Sequence, residues 1–580
     1  MTHDHDDTNA SRTEYDSTSE EKKQRQTSED AHPDDENVLA GVSMDIPVRD
    51  ATADENARED AQTAKGIIYL DGLRFNLIAG CIAVVLFLIS IETSIATTSL
   101  KSITDELGGF ERSSWILSSY MLGYVAVIVI FAKLSDIYGR KLVFIVCIAI
   151  FTVFSVACGA AKTLDQLIIL RGLQGLGGGG CFALCAIMMT EIVPPDQYGA
   201  LMAKIGIAII IATVLGPIVG GEISSTTTWR WIFWFNVPIG VVTLVLATLA
   251  IPNRFPYHGR PEQNPFHKTT AKITFSRLDL PGFALLMLAT LSFTACFQEA
   301  DTTFPWSSAY VITLLVGSVV LWIALLVWER RVTQCAGIRE PVLPWRFFTN
   351  RGMVGILLGM IFTGCVMSTI AFQLPQRYQF VDHLDPIQAG VRVLPFGGAF
   401  PVGMIGASFL GSKVKVPAIH LVMFGTVLQI VGCALLGTQS TTGEISPTVY
   451  GSQVVAGMGC GMTYQMFYLL IPFTVTESDK AVGMGAGNQF RMTGSAFGLA
   501  ITTSVFNAYI RAQLSELGVT STLQGLSSDF LDALPGHLKD AAGQILSDGY
   551  NRQMLVLCGF AAAQFPAALL LWRKKQIVTV

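Results

Sequence analysis

The sequence predicts an all-α polytopic membrane protein of about fourteen transmembrane helices. Three observations predict it. Of 580 residues, 51% are hydrophobic and only 14% are charged, against about 25% charged in an ordinary soluble chain. The mean hydropathy is +0.48, too high for a soluble core covered by so little charge. Apolar runs long enough to cross roughly 30 Å of hydrocarbon as helix recur along the chain.

The elements follow in order. Residues 1–64 hold 18 acidic against 6 basic side chains with few aromatics, a composition that cannot repay its ordering entropy and reads as a disordered acidic cytosolic tail. The tail has no apolar segment of a cleavable signal peptide, and its sequon at Asn9 is expected to stay unglycosylated. Spans are placed at 75–97, 113–132, 142–161, 166–190, 198–221 and 231–251, then 280–298 and 308–328. A last set falls at 352–374, 387–410, 417–437, 448–475, 481–508 and 550–572. With the tail inside, the loops expected to hold Lys133, Arg140, Lys141, Arg254, Arg330, Arg331, Lys413 and Lys480 fall on the cytosolic side. The opposite loops at 299–305 and 437–446 hold no Lys or Arg, so the positive-inside rule puts both termini in the cytosol. The segment 509–549 is the one long outward loop, with short apolar spacings suited to small surface helices. The cysteines lie almost wholly inside apolar runs and read as packing residues, without a disulfide framework or metal set.

Charge within the bilayer is costly, so it marks candidate sites. Glu92 lies in the first span, in LISIETSIATTSL. It is either hydrated near the outer face or an ion- or proton-carrying group facing a central cavity. Arg171 in LIILRGLQGLGGGG either snorkels or opposes Glu92, with Gln174 one turn away on the same face. Arg491, in GNQFRMTGSAFG, falls near mid-membrane with Gln489 beside it. Gly216, Pro217, Gly220 and Gly221 form GPIVGG in the fifth span, where small residues clear a face for close packing. In FAKLSDIYGRK, Asp136 can meet Arg140 or Lys141 while Gly139 permits a sharp reversal. The stretches RGLQGLGGGG, GMGCGMTYQ and QFRMTGSAFG echo one another as glycine-interrupted spans, a pointer to a transporter's central site.

In this order the pieces resemble the major facilitator superfamily, specifically the fourteen-span drug:proton antiporters of fungi. Residues 132–141 are similar to the superfamily loop motif GxLaDrxGRK, with Ala132 in place of the first glycine. Residues 171–179 are similar to RxxQGxGxG and 216–221 to the antiporter motif GPxxGG; the second-half copy of the loop motif at 406–417 is degenerate. The resemblance implies two six-helix bundles, at 70–251 and 351–575, with two linker helices and cytosolic loops inserted over 252–350. It also implies alternating access, a latch at Asp136 and Arg140, and proton coupling through Arg171 with Glu92 where the family usually has Asp.

The function expected from this reading is proton-coupled efflux of hydrophobic or amphipathic small molecules at the plasma membrane, with a vacuolar site as the alternative. Uptake of iron chelates or basic amino acids on the same scaffold, and a membrane sensor without flux, are the competing readings. No HExxH, GxSxG, paired CxxC or phosphate-cradling GxxxxGK[ST] is present, which disfavours an intramembrane enzyme or an ATP-driven pump. The expected partners are a small-molecule substrate, protons and the lipid bilayer. A monomer, no nucleic acid, no metal and no cofactor beyond the proton gradient complete the expectation.

Overall fold

A computed structural model describes residues 69–576 apart from 257–276, 517–535 and shorter breaks. The acidic tail, Asn9 and most of the basic 252–276 loop lie outside the described residues. All regular elements among the described residues are helical, save one isolated bridge between Ala300 and Phe304.

The first group comprises α1 (Gly72–Thr98), α2 (Leu100–Leu107), α3 (Ser114–Ala126), α4 (Ile128–Tyr138), α5 (Arg140–Gly159), α6 (Leu164–Glu191), α7 (Tyr198–Thr226), α8 (Trp231–Trp234) and α9 (Asn236–Ala250). Two helices follow, α10 (Leu280–Glu299) and α11 (Ala309–Gln334). The remainder are α12 (Arg346–Thr349), α13 (Arg351–Phe380), α14 (Pro386–Val391), α15 (Leu394–Ser412), α16 (Ala418–Leu436), α17 (Thr448–Thr474), α18 (Lys480–Glu516), α19 (Gly536–Ala562) and α20 (Gln564–Leu569). Among the described residues, ten helical segments are long and apolar enough to cross a membrane, and eleven if Trp115–Ala126 and Ile128–Tyr138, bent by 41°, form one span. α7, α18 and α19 are of comparable length, at 29, 37 and 27 residues.

Local chemistry sets several helix starts. Thr163, Asp279, Ser308 and Asn350 each accept a backbone N–H from the first turn of α6, α10, α11 and α13, satisfying a donor that the helix leaves without an internal partner. Gly139 separates α4 from α5 at φ +92°, a conformation that side-chain-bearing residues rarely adopt.

In packing, α6 lies against α3 and α5, α1 against α7 and α9, α17 against α15 and α16, and α18 against α13 and α19. Contacts between the early and late helices run through α4 and α6 to α18 and through α7 to α15, while α10 touches both α3 and α18. α11 presents Tyr310, Ile312, Val316, Val320 and Ile323 outward, 40–58% exposed, an apolar face suited to lipid.

Two expectations change. The glycines do not interrupt their spans: α6, α17 and α18 run unbroken through them. A chain in hydrocarbon has no water to satisfy freed backbone groups, so the helix persists and the missing side chains serve packing instead. A Cβ on Gly175 would meet the backbone of Tyr120 and Tyr124, and one on Gly177 the backbone of Phe151. The outward loop expected over 509–549 is also shorter, since α18 continues to Glu516 and α19 begins at Gly536. Residues 536–546 are therefore the first turns of a helix that continues into the bundle.

Candidate functional site

Glu92, on α1, has a fully buried side chain, as does Arg171 on α6. The carboxylate accepts from Arg171 Nη1 on one oxygen and from Asn236 Nδ2, at the start of α9, on the other. Arg171 also donates from Nε to the Ile116 carbonyl at 3.1 Å and from Nη1 to Gln174 Oε1 at 2.9 Å. Gln174 in turn donates to Ser155 Oγ at 2.9 Å. The guanidinium lies 4.5 Å from the Tyr120 ring centroid and 5.5 Å from that of Phe233. The structure therefore brings Glu92, Arg171 and Gln174 together and encloses them among α1, α3, α5, α6 and α9. Arg171 Nη2, Asn236 Oδ1 and the Tyr120 hydroxyl have no hydrogen-bond partner among the described residues. Asn236 was not foreseen; a lone amide in the apolar run WRWIFWFNVPIG was the available signal.

Gln489 and Arg491, neighbours on α18, do different work. Gln489 Oε1 accepts the Val129 N–H at 3.1 Å, and its Nε2 donates to Thr290 Oγ1 at 3.0 Å. Val129 lies in the first turn of α4, just past the bend in the second span, so its amide lacks an intrahelical acceptor and the glutamine supplies one. Gln489 thus pins α4, α10 and α18 together. Arg491 is 6% exposed and packs with its guanidinium 5.8 Å from the Phe182 ring and 5.4 Å from the Tyr464 ring. Phe182 belongs to α6 and Tyr464 to α17, so this cation sits where early and late helices meet. Ring contacts of about 0.5–2 kcal/mol each offset part of the several kcal/mol that burying a guanidinium in hydrocarbon costs.

At the α4–α5 turn, Arg140 pairs with Asp136 at 2.6 Å and with Glu191 at 2.9 Å, and Nη1 donates to Ser135 Oγ at 2.7 Å. Glu191, at the end of α6, was not foreseen. Lys141 is outside this knot and donates to Asn253 Oδ1 at 3.0 Å. Lys133 is not a loop residue but a buried member of α4, bonded to Glu340 at 2.7 Å; Arg277 shares that carboxylate. Burial alone would push the Glu340 carboxyl up, but Lys133 and Arg277 outweigh it and hold it below the ordinary carboxylate value.

Gly216 packs α7 onto α1: a Cβ there would fall on the side chain of Ser94, two residues after Glu92. Gly220 adds a backbone acceptor, its carbonyl taking the Ser99 hydroxyl at 3.4 Å. The surroundings of Pro217 and Gly221 lie outside the described residues. The packing motif of the fifth span and the buried ion pair are thus carried by touching helices.

Comparison with known proteins gives concordant matches. Residues 82–499 match the family model described as Major Facilitator Superfamily. A protein described as MFS-type transporter FPY5, from Fusarium mangiferae, is 35% identical over 508 residues, covering 87% of this chain and 84% of that one. Efflux pump FUS6 of Gibberella fujikuroi is 30% identical over 459 residues, 78% of this chain and 79% of the relative. Among solved structures, a bacterial homolog to the human lysosomal transporter Spinster, inward-facing and unoccupied, aligns at TM-score 0.53 with 16% identity, over 87% of this chain and all of that one.

Proposed function

The chain belongs to the Major Facilitator Superfamily, a multi-pass membrane transporter family, and from that premise we propose that it exports hydrophobic or amphipathic small molecules in exchange for protons. The names of its relatives support export as the direction. The observation that carries the coupling is the buried Glu92–Arg171–Asn236 cluster on the helix that packs against the GPIVGG helix. A proton arriving at Glu92 cancels the charge that Arg171 faces and frees its hydrogen bonds to rearrange. Because α1 and α7 meet at Ser94 and Gly216, that rearrangement is felt directly by α7, which in turn touches α15. The α4–α18 contact held by Gln489 and the Lys133–Glu340 pair are then the ties broken when the protein opens on the side of the 136–141 turn. In this reading the working unit is one chain in the plasma membrane with both termini cytosolic, driven by the proton gradient without a cofactor.

The test is proton flux in sealed proteoliposomes, read by an entrapped pH-sensitive dye as hydrophobic compounds are added. Wild-type protein should give a substrate-dependent proton signal and Glu92→Gln should not. Undiminished coupling in the mutant would remove Glu92 from the mechanism.

A further inference from the structure

Five basic side chains are buried among the described residues: Lys133, Arg140, Arg171, Arg377 and Arg491. Four have polar partners: Lys133 has Glu340, Arg140 has Asp136 and Glu191, Arg171 has Glu92, and Arg377 has Asn551 and Ser547. Arg491 alone has neither an ion pair nor a side-chain hydrogen bond, and its Nε is buried without a partner. It lies eleven residues into α18, which at about 1.5 Å per residue is roughly 16 Å from the helix start and so near the middle of a bilayer.

What faces it is aromatic. Phe182 and Tyr464 flank the guanidinium. Tyr124 contacts Phe182 at 5.7 Å between centroids, Tyr464 stacks on Tyr468 at 5.9 Å and 18°, and Tyr120 joins Tyr124 at 6.1 Å. The Tyr120 ring also lies under Arg171. Rings from α3, α6 and α17 thus form a wall leading from the buried ion pair to a positive charge that no described residue answers, at the contact between early and late helices.

We propose that the exported molecule is an organic carboxylate with a planar conjugated body, its anionic end paired with Arg491 and its body laid along the Tyr124–Phe182–Tyr464 wall. This rests on the export reading above and names its substrate class. A guanidinium presents parallel N–H donors that match a carboxylate in two-point contact. A neutral molecule would leave that charge unmet, and a cation would be repelled by it.

The experiment compares one scaffold in three charge states: pyrene-1-butyrate, its methyl ester, and the corresponding pyrenebutyl-trimethylammonium. Binding to the purified full-length chain is read by pyrene fluorescence, and outward movement by release from loaded proteoliposomes. Pyrene-1-butyrate should bind at least about tenfold more tightly than the ester, with the cation weakest. Arg491→Gln should bring butyrate and ester to within about twofold, while Arg491→Lys should retain the preference for the anion. If Arg491→Gln does not fold, the charge ranking of the wild-type protein decides alone. Ester or cation binding as tight as butyrate overturns the proposal; if all three are nonetheless released, export stands and only the anion assignment fails. No binding and no release of any of the three overturns both.

Discussion

Replacing Glu92 with glutamine strands Arg171. Both side chains are fully buried, so the guanidinium loses its counter-charge where no water reaches it. Two unit charges about 4 Å apart at an effective dielectric of about 20 attract by roughly 4 kcal/mol, and removing one partner of a buried pair costs about 3–5 kcal/mol. The Ile116 carbonyl, Gln174 and the Tyr120 and Phe233 rings remain, so the lower half of that range, about 3 kcal/mol, is expected. The reverse change, Arg171→Gln, should cost less, about 2 kcal/mol, because a carboxyl group can take up a proton and become neutral whereas a guanidinium stays charged. The double mutant removes both charges at once and should cost only about 2 kcal/mol, leaving a coupling of about 3 kcal/mol between the sites. The assay is a double-mutant cycle of unfolding in mixed micelles of lipid, detergent and increasing sodium dodecyl sulfate, followed by far-ultraviolet circular dichroism. Additivity to within about 0.5 kcal/mol would show that the two groups do not sense each other and would refute the pairing.

Two further predictions concern packing and pH. Gly172 and Gly175 stand one turn apart on α6, but a Cβ at Gly172 meets only the Ser119 carbonyl at 3.7 Å, while at Gly175 it lies 3.0 Å from backbone atoms of α3 and closer still to the Tyr120 carbonyl. Gly172→Ala should therefore be neutral or raise the melting temperature through helix propensity, and Gly175→Ala should lower it by the equivalent of about 1–3 kcal/mol; equal melting temperatures would show that α3 and α6 do not approach as closely as described. Because Lys133 and Arg277 hold the Glu340 carboxyl below its ordinary 4.5, its contribution is complete above that pH and is lost as the pH falls through the lowered value. Wild-type protein should thus be more heat-stable than Glu340→Gln at neutral pH, with the gap closing below about pH 4.5, and a gap that persists unchanged into strong acid would contradict the assignment.

How far the site could be read from residues alone differs from group to group. Glu92, Arg171 and Arg491 stand out in one dimension because a charge inside a run meant for lipid is conspicuous whatever surrounds it. The Asp136–Arg140 contact was legible because four residues and a glycine turn bring the two together. Asn236 lies 144 residues from the carboxylate it bonds, and Glu191 lies 51 from Arg140; no local pattern announces either. Gln489 and Val129 are 360 residues apart. Beside Arg491 in the sequence, Gln489 reads as a cavity residue, and nothing nearby announces Val129 as its partner. The glycines of α6 read as breaks because their cost in water is familiar, yet in the bundle they are the surface on which α3 and α5 rest.

The division has a physical cause. A bilayer sets the same demand on each span separately, a length of apolar helix closed on its own hydrogen bonds, so class, the approximate positions of the spans and the exceptional charges are written locally in the chain. Which helix faces which is another matter. Lipid tails are as apolar as leucine, so hydrophobicity does not mark the faces that meet, and packing with polar pairing selects neighbours from across the chain. That selection joins Glu92 to Arg171 and Asn236, gives Val129 to Gln489, and leaves Arg491 among aromatic rings with no counter-charge among the described residues.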